Sequence, residues 1–564
     1  MATNGITTLG TRTFLFGGAS GIDTSALITA AYNQRKAEAD KIDVQISDNT
    51  ARMTAIEELQ TLGQAIQTNL ADMKKNYSIL AGSDSLFDAR TGTLASSSTT
   101  DATNLVTVAI DPGTTLGSYE IEVQQKAQAH RVGGNSATAD KTANLGYTGT
   151  FDIAAAGGTA TTINVTSDMS LEELATAINA QSTTTGVGAS VLKVSESGYQ
   201  LLLTATNTNK AISVTNITGN DVLQNLGVLS AGGAFVNELQ PAQGALIEID
   251  GVPIARDDND FSDVITGINL TVKNAEPGTI LQLNIENDTS TVKDGILNLV
   301  DSYNALREAI AAHQVVSDTG EVADEAVLFG DSMLKTFSSA IQGLVGSNYG
   351  TGGGNLETLA ELGLTLGSDG VFEVDESTLD NALLSNFDEV RDIFETQVSF
   401  DNTQFRVVSN TSKLADVNIA LDITYSGGAI TNVAVGGDNS LFTINGTLIQ
   451  GATGSIYEGL SFAYVGTSST TVNLSIDQGF ADLMNSTLED YVSTVSGLFQ
   501  QEKVRLDELN GDLGDRADRV LERADDYRER LIEKYASYEA QIAAAQTTLA
   551  QLQAILGTNN DNNN

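Results

Sequence analysis

The chain has 564 residues, a length that predicts several domains rather than one. Its 72 Asp and Glu residues outnumber 29 Lys and Arg residues, and the net charge of −43 excludes a nucleic-acid binder or an anionic-membrane binder, which both need basic patches. There is no Cys, and the two His residues, His130 and His313, are too few for a His-built metal site. No membrane insertion is expected, because no run reaches the roughly 18 apolar residues of a bilayer span.

The first element that the sequence predicts is a long amphipathic helix from Ser25 to Leu80. This stretch has no Pro, and its apolar residues recur at the spacing of a helix with one buried face. We expect a break near Gly63. The apolar stripe consists of Ile42, Ile46, Met53, Ile56, Leu59, Leu62, Ile66, Leu70, Met73, Tyr77 and Leu80.

The stretch from Gly82 to Asp288 is predicted to be mostly β, because Val and Ile alternate in it with Thr, Ser, Ala and Gly. Pro112-Gly113 separates two alternating runs, 106–110 and 119–123, which we interpret as a hairpin-like pair. Asp250-Gly251 is a strong turn signal for a further hairpin.

Helical spacing returns from Val292 onward, so the chain changes character a second time. Within this part, the turn residues Ser368-Asp369-Gly370 lie between two short alternating runs and predict a β-hairpin. A second β-rich stretch is predicted from about 400 to 480.

Two further apolar stripes end the chain. One runs from Met484 to Leu513, and we expect Gly511 and Gly514 to interrupt it before a last helix. In that last helix, apolar residues alternate steps of four and three, the a/d pattern of a coiled coil. They are Leu531, Tyr535, Tyr538, Ile542, Ala545, Leu549, Leu552 and Leu556.

Stripes of this length need a partner, because each buried Leu or Ile contributes about 1.5–3 kcal/mol and an isolated helix is marginal in water. Two interpretations stay open at this point: the terminal helices pack together within one chain, or they form coiled coils between copies. The candidate residues of this assembly or coiled-coil interface are Ile42, Ile46, Met53, Ile56, Leu59, Leu62, Ile66, Leu70, Leu488, Tyr491, Val495, Leu498, Leu531, Tyr535, Tyr538, Ile542, Leu549, Leu552 and Leu556.

The sequence contains no recognisable catalytic or metal-binding pattern. The acidic residues Asp257, Asp258 and Asp260 lack the glycine turn and the distal Glu of an EF-hand loop. No Gly-x-Ser-x-Gly elbow occurs, and no nucleophile is placed beside His130 or His313. We therefore expect no enzyme, no cofactor and no metal, unless an unrecognised carboxylate pair acts, and we expect the function to lie in surfaces and assembly.

Motifs spread over most of the chain carry a resemblance to a known family. The opening segment 16–23 and the segment 117–128 resemble its N-terminal signatures, and 169–180 resembles a module shared by several flagellar axial proteins. The most specific segments are 294–310 and 359–394. The family is that of the bacterial flagellar filament cap proteins, or hook-associated protein 2.

The resemblance implies a non-enzymatic, extracellular homo-oligomer, a pentamer in the family. It would form a plate at the distal tip of the filament with terminal helices as legs. Flagellin would be folded and inserted beneath this plate. The hook-filament junction protein and a type III export chaperone are further implied partners. Export by the flagellar type III system would use no cleaved signal peptide, and an additional adhesion to surfaces or mucin would be compatible with capping.

Two alternatives to the cap stay open, and the second belongs to another class of protein. Flagellin or a hook-filament junction protein also has helical ends around a β middle, but the block 359–394 resembles caps. A surface adhesin would suit the strand-rich middle, although it needs no heptad ends. The stretch 400–480 is not part of the shortest family members, so its role is left open.

With the resemblance, the predicted fold class is α+β multidomain, in which long terminal helices form a coiled-coil leg and β-rich plate domains are inserted between them. The leg would comprise an N-terminal segment (1–41), a coiled-coil helix (42–80), a second coiled-coil helix (481–514) and a C-terminal helix (515–564). A helical and hairpin part (290–399) would belong to a leg-proximal domain. The remaining predicted parts are a β-rich domain in two pieces (81–125 and 244–289), an inserted outer α+β domain (126–243) and the additional β-rich domain (400–480).

Overall fold

The structure is a computed structural model of the full chain. It describes all residues except 1–4, 10–11, 17, 23, 76, 78–84, 197, 316–321, 324, 351–353, 412–413, 415–416 and 562–564, and it describes only the backbone of 5–9, 12–16 and 556–561. The chain forms two compact units: a leg unit of residues 1–79 and 293–564, and a middle unit of residues 80–292. Among the described residues, no helix is both long and apolar enough to cross a membrane.

Long helices lie near both ends of the chain and β-sheets lie between them, as the sequence predicts. The α+β multidomain class is therefore confirmed. The helices are α1 (Thr24–Ala71), α2 (Ala102–Leu105), α3 (Leu171–Asn179), α4 (Ser182–Thr185), α5 (Val222–Asn225), α6 (Thr289–Ala312), α7 (Ser332–Val345), α8 (Glu376–Ser385), α9 (Phe387–Phe394), α10 (Phe480–Val492) and α11 (Leu498–Asp561).

The strands form antiparallel pairs throughout the described chain. They are β1 (Gly5–Leu9), β2 (Arg12–Phe16), β3 (Arg90–Ser96), β4 (Val106–Ile110), β5 (Gly117–Gln125), β6 (Ala129–Gly133), β7 (Gly149–Ala155), β8 (Thr161–Val165), β9 (Val187–Ser195), β10 (Gly198–Thr208), β11 (Ile212–Gly219), β12 (Asn237–Gln240), β13 (Ala245–Ile249), β14 (Val252–Arg256), β15 (Asp260–Ile265), β16 (Ile268–Val272), β17 (Ile280–Asn287), β18 (Leu364–Leu366), β19 (Phe372–Val374), β20 (Gln397–Phe400), β21 (Phe405–Asn410), β22 (Val417–Ser426), β23 (Ala429–Val435), β24 (Phe442–Asn445), β25 (Leu448–Gly451), β26 (Leu460–Tyr464) and β27 (Thr470–Asp477).

Helix α1 is continuous through Gly63, so the break expected there is wrong. A Cβ atom at this position would lie 2.5 Å from Cγ1 of Val492 in α10. The glycine therefore permits a close approach of two helices and does not bend α1. The helix ends at Ala71, earlier than predicted, and the predicted end at Leu80 lies outside the described residues.

Helix α11 runs unbroken through Gly511 and Gly514, so the interruption predicted at these glycines is also wrong. The break lies earlier, between α10 and α11, where Gly497 donates a backbone hydrogen bond to the carbonyl of Ser493. A Cβ at Gly497 would lie 2.5 Å from the carbonyl oxygen of Tyr491. Glycine costs about 1 kcal/mol in a helix interior, a penalty that the packing of α11 on α1 can outweigh.

The hairpin predicted around Ser368-Asp369-Gly370 is confirmed as β18 and β19, with Leu364 opposite Val374. Helix α6 holds it in place, because Asn304 accepts a hydrogen bond from the backbone N–H of Phe372 (2.7 Å) and donates one to its carbonyl oxygen (3.1 Å). The hairpin thus belongs to the helical part of the leg unit.

The second β-rich stretch is a sandwich of two four-stranded sheets, ordered β20-β27-β22-β23 and β21-β26-β25-β24. Its core contains aromatic and branched residues from both sheets, including Phe462 and Leu474. The first and last strands pair with each other, Gln397 opposite Asp477, so that the sandwich is an insertion between α9 and α10 with adjacent ends.

The middle unit has two hydrophobic cores. One lies between the sheet β14-β13-β5-β17-β3 and the sheet β15-β16-β4, and the other lies among the sheets β12-β6-β10-β9 and β11-β7-β8 and helix α3. The hairpin at Asp250-Gly251 is confirmed, with φ of 50° and 80° at the two turn residues, as a two-residue turn with both φ positive requires.

The hairpin predicted across Pro112-Gly113 is wrong. Strand β4 pairs with β16, whereas β5 pairs with β13 and β17, so the two runs lie in different sheets. Both contribute to one core, through Val106 and Ile121. Alternation therefore identified the strands, but the partner of each strand comes from a distant part of the chain.

Candidate assembly surface

The core of the leg is an antiparallel pair of α1 and α11. At one level Ile28 packs against Ile532, and at another Ala39 and Ile42 pack against Ala517 and Val520. Ala39 and Ala517 let the two helices approach closely, while Ile42 and Val520 fill the seam. The ends of the chain are therefore partners within one molecule.

Polar contacts fix the register of this helix pair. Arg516 and Glu38 form an ion pair at 2.9 Å, Asn49 donates an amide hydrogen bond to Asn510 at 2.8 Å, and the Arg35 guanidinium stacks on the ring of Tyr527 at 3.9 Å. Exposed ion pairs contribute little each, so these contacts specify alignment more than stability.

At the other end of the leg, α1 also packs against α10. Ring contacts join Phe337 of α7, Tyr491 of α10 and Phe499 of α11, with centroids 4.9–6.0 Å apart. A groove of about 500 Å³ runs over this cluster between Met333 and Leu498. Three helices, α7, α10 and α11, thus share one aromatic cluster.

A clamp at Glu539 marks the place where α11 passes beyond α1. This carboxylate is buried and accepts hydrogen bonds from the backbone N–H groups of Ala19 (3.1 Å) and Ser20 (3.2 Å) and from the Ser20 hydroxyl. Gln546 donates to the carbonyl of Ala19 at 2.7 Å. The segment before α1 is thereby tied to α11.

Past this clamp, α11 has a different surface. Residues 540–560 contain no charged side chain, whereas 20 of the 38 residues from Glu502 to Glu539 are charged. Leu549, Leu552 and Ile555 are 56%, 50% and 58% exposed. They form an apolar stripe on one face of the helix, called here the terminal stripe, which the described part of the chain leaves open to solvent.

The structure sorts the predicted interface residues into three groups. Those buried inside the leg unit are Ile42, Ile56, Leu59, Ile66, Leu70, Leu488 and Tyr491. Those half-buried are Ile46, Met53, Leu62, Leu531, Tyr535 and Ile542, and those exposed are Val495, Leu498, Tyr538, Leu549 and Leu552. The side chain of Leu556 lies outside the described residues.

Sequence reasoning missed several residues of the seam, namely Ile28, Ala39, Ala517, Val520 and Ile532. Alanines were not counted as apolar positions, although Ala517, Val520 and Ala524 follow the helical spacing of three and four. The predicted a/d register also began at Leu531, whereas the adjacent Ile532 is the buried residue.

Two titratable groups outside the leg unit, His130 and Asp257, have structural partners. His130 is buried, its Nδ1 accepts a hydrogen bond from the backbone N–H of Ile212 (2.8 Å), and its Nε2 donates to Glu238 (3.0 Å). Lys210 and Asn209 hold Asp257 and lower the pKa of its carboxyl. Among the described residues, no group of His, Asp and Glu could hold a metal ion.

Family models match this chain over most of its length. The model described as the C-terminus of flagellar hook-associated protein 2 matches residues 242–554, and the model of its N-terminus matches residues 20–130. A third model, the flagellin hook IN motif, matches residues 150–207.

Individual relatives agree with these models. The B-type flagellar hook-associated protein 2 of Pseudomonas aeruginosa is 27% identical over 67% of this chain and 79% of its own length. The flagellar hook-associated protein 2 of Salmonella typhimurium is 30% identical over 40% of this chain and 49% of its own length. Among solved structures, the D1-D2-D3 domains of the flagellar cap protein of Escherichia coli align with a TM-score of 0.49 at 20% identity, over 80% of this chain and 99% of that one.

Proposed function

Since the chain belongs to the flagellar hook-associated protein 2 family, we propose that it caps the distal tip of a flagellar filament as a homo-oligomer and promotes the folding and insertion of exported flagellin. In this role it prevents the loss of flagellin subunits. In this proposal the protein acts through its surfaces and its assembly and not through catalysis.

The observation that carries the proposal is the terminal stripe. Burying three Leu or Ile side chains that are half exposed in one molecule would contribute several kcal/mol, at about 1.5–3 kcal/mol for each fully buried side chain. Helix α1 begins at Thr24, and the packing of Ile28 on Ile532 lies near its first turn. Beyond this packing, α11 still contacts the segment before α1 through Glu539 and Gln546, and its exposed terminal stripe is placed to contact another molecule.

The charge pattern favours a second copy of this chain as that molecule. Contacts between equivalent segments bring like charges together, and the net charge of −43 makes such contacts costly over most of the surface. Residues 540–560 avoid this cost because they carry no charge. A bundle of terminal stripes from several copies would hide the apolar side chains without stacking carboxylates.

The same proposal includes three partner proteins. Flagellin is the protein whose folding is promoted, the hook-filament junction protein is a further partner in the flagellum, and an export chaperone binds the chain before secretion by the type III system. The match to the flagellin hook IN motif supports a place among flagellar proteins. We propose five copies in each cap and the domain boundaries given above.

The decisive experiment uses a strain that lacks this gene. Without the protein, flagellin monomer should accumulate in the medium and filaments should be absent. The wild-type gene and a Leu384→Asp variant, altered at an exposed leucine of α8, should restore filaments, whereas Leu549→Asp with Leu552→Asp should not. Filament growth without the protein would refute the capping role, and filament growth with the double variant would refute the role of the terminal stripe.

An additional adhesion to surfaces or mucin is proposed for the sandwich. Its sheet β20-β27-β22-β23 presents an exposed polar face, on which Thr471 donates a hydrogen bond to Asp422 and Asn473 donates one to Asp401. Because the ends of the sandwich are adjacent, residues 397–477 can be deleted while the flanking helices stay close. Equal retention of the full chain and the deletion variant on mucin would refute this role.

A further inference from the structure

Two Asn-Gly dipeptides lie within the described part of the chain, Asn445-Gly446 and Asn510-Gly511. Asparagine before glycine can react with its own backbone, because glycine has no side chain to hinder the approach of its nitrogen to the Asn side chain. The reaction needs a free amide side chain and a backbone nitrogen that is not held in a hydrogen bond. The fold places the two dipeptides in opposite environments.

Asn445-Gly446 lies at the turn between β24 and β25. Asn445 pairs with Leu448, so the loop has two residues, and Gly446 has a φ of 65°, which suits a glycine at the first turn position. Asn445, Gly446 and Thr447 are all exposed, and a Cβ at Gly446 would meet nothing within 4 Å. The amide side chain of Asn445 therefore lies in water, beside an unhindered peptide bond.

Asn510-Gly511 lies within α11, on the side of the helix that meets α1. The Asn510 side chain accepts a hydrogen bond from the Asn49 amide at 2.8 Å. Gly511 is far from either end of α11, so its N–H is held by the helical bond to the carbonyl four residues earlier. Reaction here requires the helix to open locally, which is unfavourable in a packed element.

We propose that Asn445 is a site of spontaneous deamidation and that Asn510 is protected by the fold. The Gly446 backbone nitrogen loses its proton and attacks Cγ of Asn445; a new N–Cγ bond forms, the bond from Cγ to the side-chain nitrogen breaks, and ammonia leaves with the proton. Water then adds to one carbonyl of the five-membered imide and breaks one C–N bond. The products are aspartate or isoaspartate at residue 445, and no oxidant or cofactor is used.

The change would affect the sandwich in two ways. Both products add one negative charge to a chain that already carries −43. In addition, isoaspartate carries the main chain through the former side chain and so inserts one methylene into the β24–β25 loop. A two-residue hairpin loop depends on a strict number of backbone atoms, so the pairing of Asn445 with Leu448 would be disturbed.

The test is to incubate the purified full-length protein in neutral and in mildly alkaline buffer and to map its peptides by mass spectrometry. Deamidation at Asn445 should exceed that at Asn510 by at least about tenfold, because opening α11 adds to the barrier at Asn510. It should also be faster in alkaline buffer, where the attacking nitrogen loses its proton more readily. Equal extents at both residues, or an intact Asn445, would overturn the proposal.

Two controls assign the difference to the fold. In concentrated denaturant, the protection of Asn510 should disappear and the two residues should react at similar rates. The variant Asn445→Ser, which removes the amide but keeps Gly446 and its turn, should show no new acidic form of the peptide that contains residue 445. A large difference that persists in denaturant would mean that neighbouring residues, and not the structure, set the rates.

Discussion

Gln60 of α1 donates a hydrogen bond from Nε2 to the backbone carbonyl of Val492, 3.0 Å away at the last residue of α10. Gln64, one turn further along α1, donates to the same oxygen at 3.2 Å. The last carbonyls of a helix have no partner within the helix. Two amides of α1 therefore supply the C-terminal cap of α10, at the place where the chain leaves α10 for α11.

Replacing Gln60 with Leu should lower the free energy of unfolding by about 1–3 kcal/mol, because the buried oxygen of Val492 and the Lys503 ammonium each lose a partner. Leucine has a similar volume, so a cavity would not account for the loss. Urea unfolding of the leg unit, followed by circular dichroism, measures it. Thr61→Ala, at the exposed neighbouring position, is the control, and an equal loss in both variants would contradict the cap.

The double variant Leu549→Asp and Leu552→Asp should leave the unfolding of the monomer unchanged, because both side chains are exposed in the single chain. Self-association should be lost, as seen by sedimentation. By contrast, Ile532→Asp places a charge in the seam against Ile28 and should cost several kcal/mol. If the double variant unfolded as easily as Ile532→Asp, the terminal stripe would belong to the interior of the monomer.

Self-association should strengthen with salt. Copies that carry −43 each repel one another, and this repulsion is screened beyond a Debye length of about 8–10 Å at physiological ionic strength. Light scattering of the full-length protein from about 10 mM to 0.5 M NaCl should therefore show larger oligomers at the high end. Oligomers that grow as salt is removed would show that ion pairs between copies set the contact.

Alkaline pH should destabilise the leg unit through Tyr303. Burial raises the pKa of its hydroxyl to about 12, and among the described residues this hydroxyl has no hydrogen-bond partner. Since the unfolded pKa is about 10, stability is full below pH 10 and falls as pH rises towards 12, by up to about 3 kcal/mol.

The variant Tyr303→Phe isolates this effect. It keeps the ring contact with Phe372 and removes the ionisable hydroxyl, so its unfolding free energy should fall less between pH 10 and pH 12 than that of the wild type. Near neutral pH the two proteins should differ little. Burial also raises the pKa of Tyr77, so a smaller alkaline loss should remain in the variant. Identical alkaline curves would exclude Tyr303 as the cause.

Local chemistry explains which parts of the fold could be predicted from sequence. The turns at Asp250-Gly251 and Ser368-Asp369-Gly370 were predicted correctly, because a short loop determines its own hairpin. The pairing of β4 and β5 was not, because each strand finds its partner in residues that are far away in sequence. Periodicity contains no information about such partners.

The same distinction applies to the candidate surface. Helical spacing predicted that Ile42 and Leu549 lie on apolar helix faces, and it placed both residues in the same predicted helix–helix interface. In the structure Ile42 is buried against α11, whereas Leu549 lies beyond the reach of α1. This difference depends on where α1 begins relative to α11, a property of two helices together that neither stripe reveals.

The pairing of α1 with α11 joins the first and last long helices of the chain, and contacts between residues so far apart in sequence are the slowest kind to form. Two strand pairings that form before it shorten the loop that must close between α1 and α11. Arg90 pairs with Asn287, and Gln397 pairs with Asp477, so each inserted β region returns the chain close to where it left. Once these regions have folded, the loop that must close is far shorter than the sequence suggests, and its entropy cost falls accordingly. We therefore expect α1 and α11 to pack together last, after the two inserted β regions have folded.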